Sequence, residues 1–250
     1  MSQLLLTGSS LTASVSTNLE QALALLDARL ATWASSSNTD AYNALLLKVF
    51  GAESSEATAA LQAKIGGSGL GVSLEIIPAA NLSGLNAGYT NSDPTGEERI
   101  YINEGWLQTA TASEIEAVLL EELGHAIDTR LNGVIDTVGD EGAIFSALLR
   151  GLTPASTALT ENDQRLISLN GISVTIEAAV ADTTPPTGSL GSFIPIASVN
   201  ANNSYHVGAA ITLTLEFSEP VLVDTTGGTP SLQLETGTTD RFAVFTSGSG

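Results

Sequence analysis

The chain has 250 residues, enough for one large domain or two modest ones, each able to bury a sizeable core. Its 27 acidic residues against 8 basic ones, a formal net charge of −19, disfavour nucleic acid and anionic membrane surfaces as partners. Cysteine is absent, which excludes a disulfide framework and thiolate metal sites and leaves any metal to carboxylate, imidazole or carbonyl ligands.

The first stretch, MSQLLLTGSSLTASVSTNLE, has no positive leading region, too short an apolar run for a secretory signal, and nothing approaching the ~20 apolar residues of a membrane span. Neither an amino-terminal Sec signal nor membrane insertion is expected. Thr17 and Glu20 match a capping box, and Leu19, Leu23, Leu26, Leu30 and Trp33 recur at helical spacing, predicting an amphipathic helix. Two shorter helices are expected over Asp40 to Phe50 and Glu53 to Ile65, the second closed by Gly66 and Gly67. Period-two patterns at Gly71 to Ile77 and Arg99 to Asn103 predict strands.

Ser113 and Glu116 match a second capping box, opening a helix that runs through Arg130 and stops near Asn132 and Gly133. A further helix fits Asp140 to Leu149. Leu166 to Leu169 and Ile172 to Ile176 flank Asn170 and Gly171, a strong hairpin signal, so a hairpin is expected to close the first domain. Two prolines and a glycine between Asp182 and Gly188 mark a stiff linker. The division expected is residues 1–180, a linker at 181–188, and a second domain at 189–250. There Ile211, Leu213, Leu215 and Phe217 alternate with polar residues, and Ser231 to Glu235 and Phe242 to Thr246 repeat the strand signal. An immunoglobulin-type sandwich takes ~100 residues and ~7 strands, so this module is expected to be incomplete within the chain. The fold class is therefore α+β, followed by an all-β sandwich that lacks its last strands.

Candidate chemistry concentrates in L-L-E-E-L-G-H-A-I-D, residues 119–128. At ~100° per residue, Glu114, Glu121, His125 and Asp128 fall within roughly 60° of one another, while Ile115, Leu119, Leu120, Leu123, Ala126 and Ile127 take the opposite face. Residues four apart lie one turn apart, so Glu121 and His125 could grip one cation, with Glu122 beside it to activate a bound water. Gly124 leaves room for another backbone.

Those residues resemble the zincin metallopeptidases, whose active-site helix carries H-E-x-x-H; here the run reads E-E-L-G-H. The likeness covers roughly Gly71 to Leu149. It implies a zincin-like fold with a small sheet and an active-site helix, a divalent metal that is zinc by resemblance, and peptide or protein as substrate. It also implies Glu122 as catalytic base, Glu121 and His125 as ligands and Glu141, in G-D-E-G, as the third ligand. Asp128 and Asp140 would support the ligands. Zincins set an edge strand before this helix to bind extended substrate, a place that Arg99, Tyr101 and Asn103 would fill.

The departure lies at Glu121, where the family has its first histidine; a Glu121, His125, Glu141 set is more anionic and harder, and shifts preference toward manganese or calcium. Other readings stay open. Asp140 and Glu141 suit the positive end of a helix, Asp136 and Asp140 could hold calcium in a loop, and His125 could be an ion-paired histidine. Tyr89 and Tyr101 could stabilise an oxyanion or simply pack.

In the second module, L-T-L-E-F-S-E-P-V-L-V with G-T-P-S-L-Q-L-E-T-G resembles the immunoglobulin-like repeats of large bacterial surface adhesins. That likeness implies a secreted or cell-surface protein exported without an amino-terminal Sec signal. Two functions follow: a secreted metal-dependent peptidase at the head of a surface protein, or a catalytically inactive zincin-like module of an adhesin, structural or calcium-binding.

Overall fold

A computed structural model describes residues 3–7, 13–82, 84–133, 139–160 and 163–179, and in the remainder 196–198, 206, 208–215, 217, 223, 225, 228–234 and 238–247. The chain divides into two compact units, Met1–Asp182 and Thr183–Gly250. The expected linker at Asp182 to Gly188 and the loop residue Asp136 lie outside the described residues.

The first unit mixes helix and strand. In chain order it holds β1 (Leu4–Thr7), α1 (Ala13–Trp33), a 3-10 turn at Ser36–Asn38, α2 (Thr39–Phe50), α3 (Glu56–Gly66), β2 (Val72–Ile77), α4 (Ala79–Leu82), β3 (Ala87–Thr90) and β4 (Arg99–Asn103). Then come α5 (Glu104–Leu107), α6 (Ala112–Asn132), α7 (Glu141–Leu149) and the hairpin β5 (Arg165–Leu169) and β6 (Ile172–Ile176). The sheet runs β1-β2-β4-β3, with β1, β2 and β4 parallel and β3 antiparallel along β4.

Strand alternation separates two apolar layers. Val72, Leu74, Ile76, Ile100 and Ile102 join the larger core with Leu19, Leu26 and Leu30 of α1 and Ile115, Leu119, Leu123 and Ile127 of α6. Ile77 and Tyr101 instead meet Ile167, Val174 and Ile176 of the hairpin. At the hairpin tip Asn170 and Gly171 both have positive φ, 51° and 81°, the backbone that a two-residue turn with the twist of its strands requires.

Two caps sit elsewhere than expected. Helix α1 begins by Ala13, so Thr17 and Glu20 lie inside it, where Glu20 accepts a hydrogen bond from Ser16. Helix α6 is capped by Thr111 and Glu114, not by Ser113 and Glu116: the Thr111 hydroxyl accepts from the Glu114 N–H and Glu114 accepts from the Thr111 N–H. Glu116 is thereby released to the interior, where Arg29 of α1 meets it at 2.6 Å and also reaches the Leu149 carbonyl.

The expectation that Arg99 to Asn103 forms the free edge of the sheet does not hold. Strand β4 is hydrogen-bonded on both sides, by β2 and β3, and has no backbone groups to offer a substrate. Its side chains are committed too. Arg99 pairs with Asp93, Glu75 and Glu97, Tyr101 is buried, and Asn103 caps α5 through the N–H groups of Gly105 and Trp106. The outer strands are β1 and β3.

Helices α6 and α7 cross at glycine. A Cβ on Gly124 would lie 2.7 Å from the Gly142 Cα, and one on Gly142 would lie 2.6 Å from the Glu121 carbonyl and 2.5 Å from His125 Nε2. Only hydrogen at both positions lets the backbones meet, which brings the start of α7 against His125.

The second unit contributes two antiparallel strand pairs, β7 (Ile196–Ser198) with β8 (Leu213–Leu215), and β9 (Ser231–Leu234) with β10 (Arg241–Val244). No helix among the described residues is long and apolar enough to cross a membrane.

Replacing Gly124 by alanine tests the crossing. Alanine gains about 1 kcal/mol in helix propensity, but overpacking costs about 1–3 kcal/mol, so the clash prevails. Thermal unfolding of Gly124→Ala is expected to fall by several degrees; an unchanged or higher midpoint would contradict so tight a crossing.

Candidate metal centre

His125 sits one turn beyond Glu121 on α6, its side chain only 1% exposed. Its two ring nitrogens face different carboxylates. Glu141, the first residue of α7, places Oε1 2.9 Å from Nδ1. On the other side Nε2 lies 3.2 Å from Asp163 Oδ2 and 3.9 Å from Asp140 Oδ1. Asp140 is fixed by its role as cap of α7, accepting from the Ala143 N–H at 2.7 Å. Asp163 enters from the segment before the hairpin.

Donor atoms of His125, Asp140 and Asp163 all lie within 4.8 Å of one another, and no other such group of three is found among the described residues. Although Nε2 and Asp163 Oδ2 are close, their directions are poor for a hydrogen bond, and both atoms are buried without a partner. The Gly142 backbone packs so close to Nε2 that a Cβ there would lie 2.5 Å from it. Two buried ligand atoms without hydrogen-bond partners, in a set of one imidazole and two carboxylates, fit a divalent cation.

Glu122 is wholly buried. Its Oε1 accepts the Ala179 N–H at 3.1 Å, and Oε2 has no hydrogen-bond partner. A small cavity of about 160 Å³ beside His125 is lined by Asn91, Asp128, Glu141, Gln164 and Glu177 among others. There Gln164 Nε2 donates to Glu177 Oε1 at 2.9 Å.

The sequence-derived ligand set is rearranged. Glu141 meets the imidazole at Nδ1 and is not in the group of three, while Asp140, expected in a supporting role, lies 3.9 Å from Nε2. Glu121 is half-buried and outside the converging group; Gly142 is lodged between its carbonyl and the His125 ring, and its charge acts on Arg150 of α7. Asp128 lines the cavity and accepts from Asn132 at 2.7 Å. Tyr89 donates to Glu98 at 2.7 Å, and burial pushes Tyr101 up to about 12.

Asp163 and Glu177 were missed. Asp163 stands in the polar run T-E-N-D-Q, with no helical or strand spacing to connect it to His125; only the return of the chain into the hairpin carries it there. Glu177 follows the last strand and would have been read as its exposed end.

Five carboxyl groups, those of Glu122, Asp140, Glu141, Asp163 and Glu177, thus act on one buried imidazole or on one another. Burial raises Glu122 well above the carboxylate range and Asp140 to about 6, and burial with the shared hydrogen bond to Asp163 raises Glu177 to about 7. Burial alone would lower His125, but Asp163 and Glu141 outweigh it and raise it well above its ordinary value. Asp163 is burdened by burial yet held low by His125.

No family model matches the chain, and no curated protein or solved structure shows significant similarity to it.

The raised groups share one sign. Each binds more protons folded than unfolded, so each withdraws stability as pH climbs from its unfolded value through its folded one; for Asp140 and Glu177 that window runs from about 4 to about 7. Asp163 acts oppositely, only at lower pH. Without metal, the thermal midpoint is therefore expected to fall between pH 5 and pH 8. A midpoint that rises over that range in EDTA would refute this account of the site.

Proposed function

We propose that the first unit is a divalent-cation-binding module of zincin-like kind, in which His125 Nε2, Asp140 and Asp163 hold the ion and Glu141 fixes the imidazole. The observation that carries the reading is the pair of buried atoms without hydrogen-bond partners, His125 Nε2 and Asp163 Oδ2, 3.2 Å apart and with Asp140 in the same group of three. A cation there replaces the missing hydrogen bonds and offsets the crowded carboxylates. An imidazole in the set favours zinc or manganese; calcium prefers six to eight oxygens. The ion would fasten α6, the start of α7 and the Asp163 segment together, which supports the structural role of the module.

Water-activated hydrolysis with Glu122 as base is the second reading. One observation favours it: a peptide backbone, through the Ala179 N–H, already lies against the Glu122 carboxyl. Action on outside proteins gains no support, because the β3 edge is filled from within. The strand pairs of the second unit are consistent with an immunoglobulin-like spacer in a secreted or surface protein, which we hold as a proposal resting on the sequence likeness.

Calorimetric titration of the EDTA-stripped chain with zinc and with manganese tests the cation reading. One equivalent is expected to bind. Asp163→Asn is expected to weaken binding at least tenfold and Glu121→Gln to leave it unchanged. Saturation at a hundredfold excess over Kd adds about 2.7 kcal/mol of stability. Absence of stoichiometric binding, or a loss in Glu121→Gln as large as in Asp163→Asn, would defeat the assignment.

A further inference from the structure

The segment leaving β6 runs along the exposed edge of β3 as an added strand. Tyr89 and Glu177 exchange both backbone hydrogen bonds at 2.8 Å, and the Asn86 N–H donates to the Ala179 carbonyl at 3.0 Å. Gly88 makes the approach possible, since Ile176 Cδ1 fills the place of the missing Cβ. Such edge pairing is the way extended peptides commonly bind a sheet. Here the peptide is the protein's own.

Its register is specific. Glu177 directs both backbone groups at β3, so alternation turns those of Ala178 away from β3. The Ala179 N–H leaves the ladder and meets Glu122 Oε1, while Oε2 of the same carboxyl is buried without a partner. Ala178 and Ala179 are 1% and 0% exposed, a space that admits methyl side chains. Glu177 lines the cavity beside His125.

We infer that the Ala178–Ala179 peptide bond is the substrate of this site and that the protein severs itself there, within the first unit and shortly before the second begins. The inference rests on the cation reading above. In the step, the oxygen of water bonds to the Ala178 carbonyl carbon and the bond from that carbon to the Ala179 nitrogen breaks. Glu122 takes the proton released by the water and delivers it to the departing nitrogen it already touches. The products are a carboxylate at Ala178 and an amine at Ala179; no oxidant or reductant is needed. A cation on His125, Asp140 and Asp163 would acidify the water. Holding the bond in place makes the reaction intramolecular, worth many orders of magnitude in effective concentration.

The test uses the full chain, stripped with EDTA and then given zinc or manganese. Mass spectrometry and terminal sequencing are expected to find a new amino terminus at Ala179, formed at a rate independent of protein concentration. Glu122→Gln is expected to stay whole while still binding the metal. Amide hydrogen exchange gives a reading separate from cleavage: the Ala179 N–H is expected to exchange slowly in the metal-free chain and at least tenfold faster in Glu122→Ala. Metal bound by calorimetry without a cut overturns the self-cleavage and leaves the cation site standing; no bound metal overturns both. Equal cutting of Glu122→Gln, or fast exchange at Ala179 in the unaltered protein, also overturns it.

Discussion

A buried imidazole held between carboxylates at the crossing of two helices is the constraint on which the site depends. Gly124 and Gly142 remove the side chains that would keep α6 and α7 apart, and the contact puts the cap and first residue of α7 against the two faces of His125. Arg29, paired with the buried Glu116 and reaching the end of α7, ties the same crossing to α1. Without this approach, Asp140 and Glu141 would be an ordinary acidic helix start, favourable to the dipole and chemically idle.

Electrostatics makes the arrangement expensive by itself. Several carboxyl groups share one histidine in a buried site, and burial raises Asp140, Glu177 and Glu122 toward their protonated forms. A divalent cation held by His125, Asp140 and Asp163, as proposed, would offset the carboxylate charge with fewer protons. Protons and metal therefore compete for the same groups, which couples ion binding to pH.

Beyond the four strands of the sheet, the chain itself pairs along the outer side of β3. Because 177–179 pairs with β3 and touches Glu122, the same segment covers that edge and holds a backbone of the chain against the carboxyl.

Periodicity alone determined most elements of the first unit. The apolar stripe of α1, the strand over Arg99–Asn103, the hairpin turning at Asn170 and Gly171, and the polar face of α6 with His125 were all legible, because each is a local repeat or a turn with one dominant chemistry. The α6 cap was read two residues from its place, since several Ser, Thr and Glu spacings satisfy the same motif. Tertiary structure alone decided the rest. Strand order, which makes β4 interior and β3 an outer strand, depends on pairings distant in sequence. The exchange of roles between Asp140 and Glu141 depends on how α7 meets the ring, and the arrival of Asp163 beside Nε2 depends on the path into the hairpin. Helical spacing says which residues share a face; it carries no information about what another segment brings to that face.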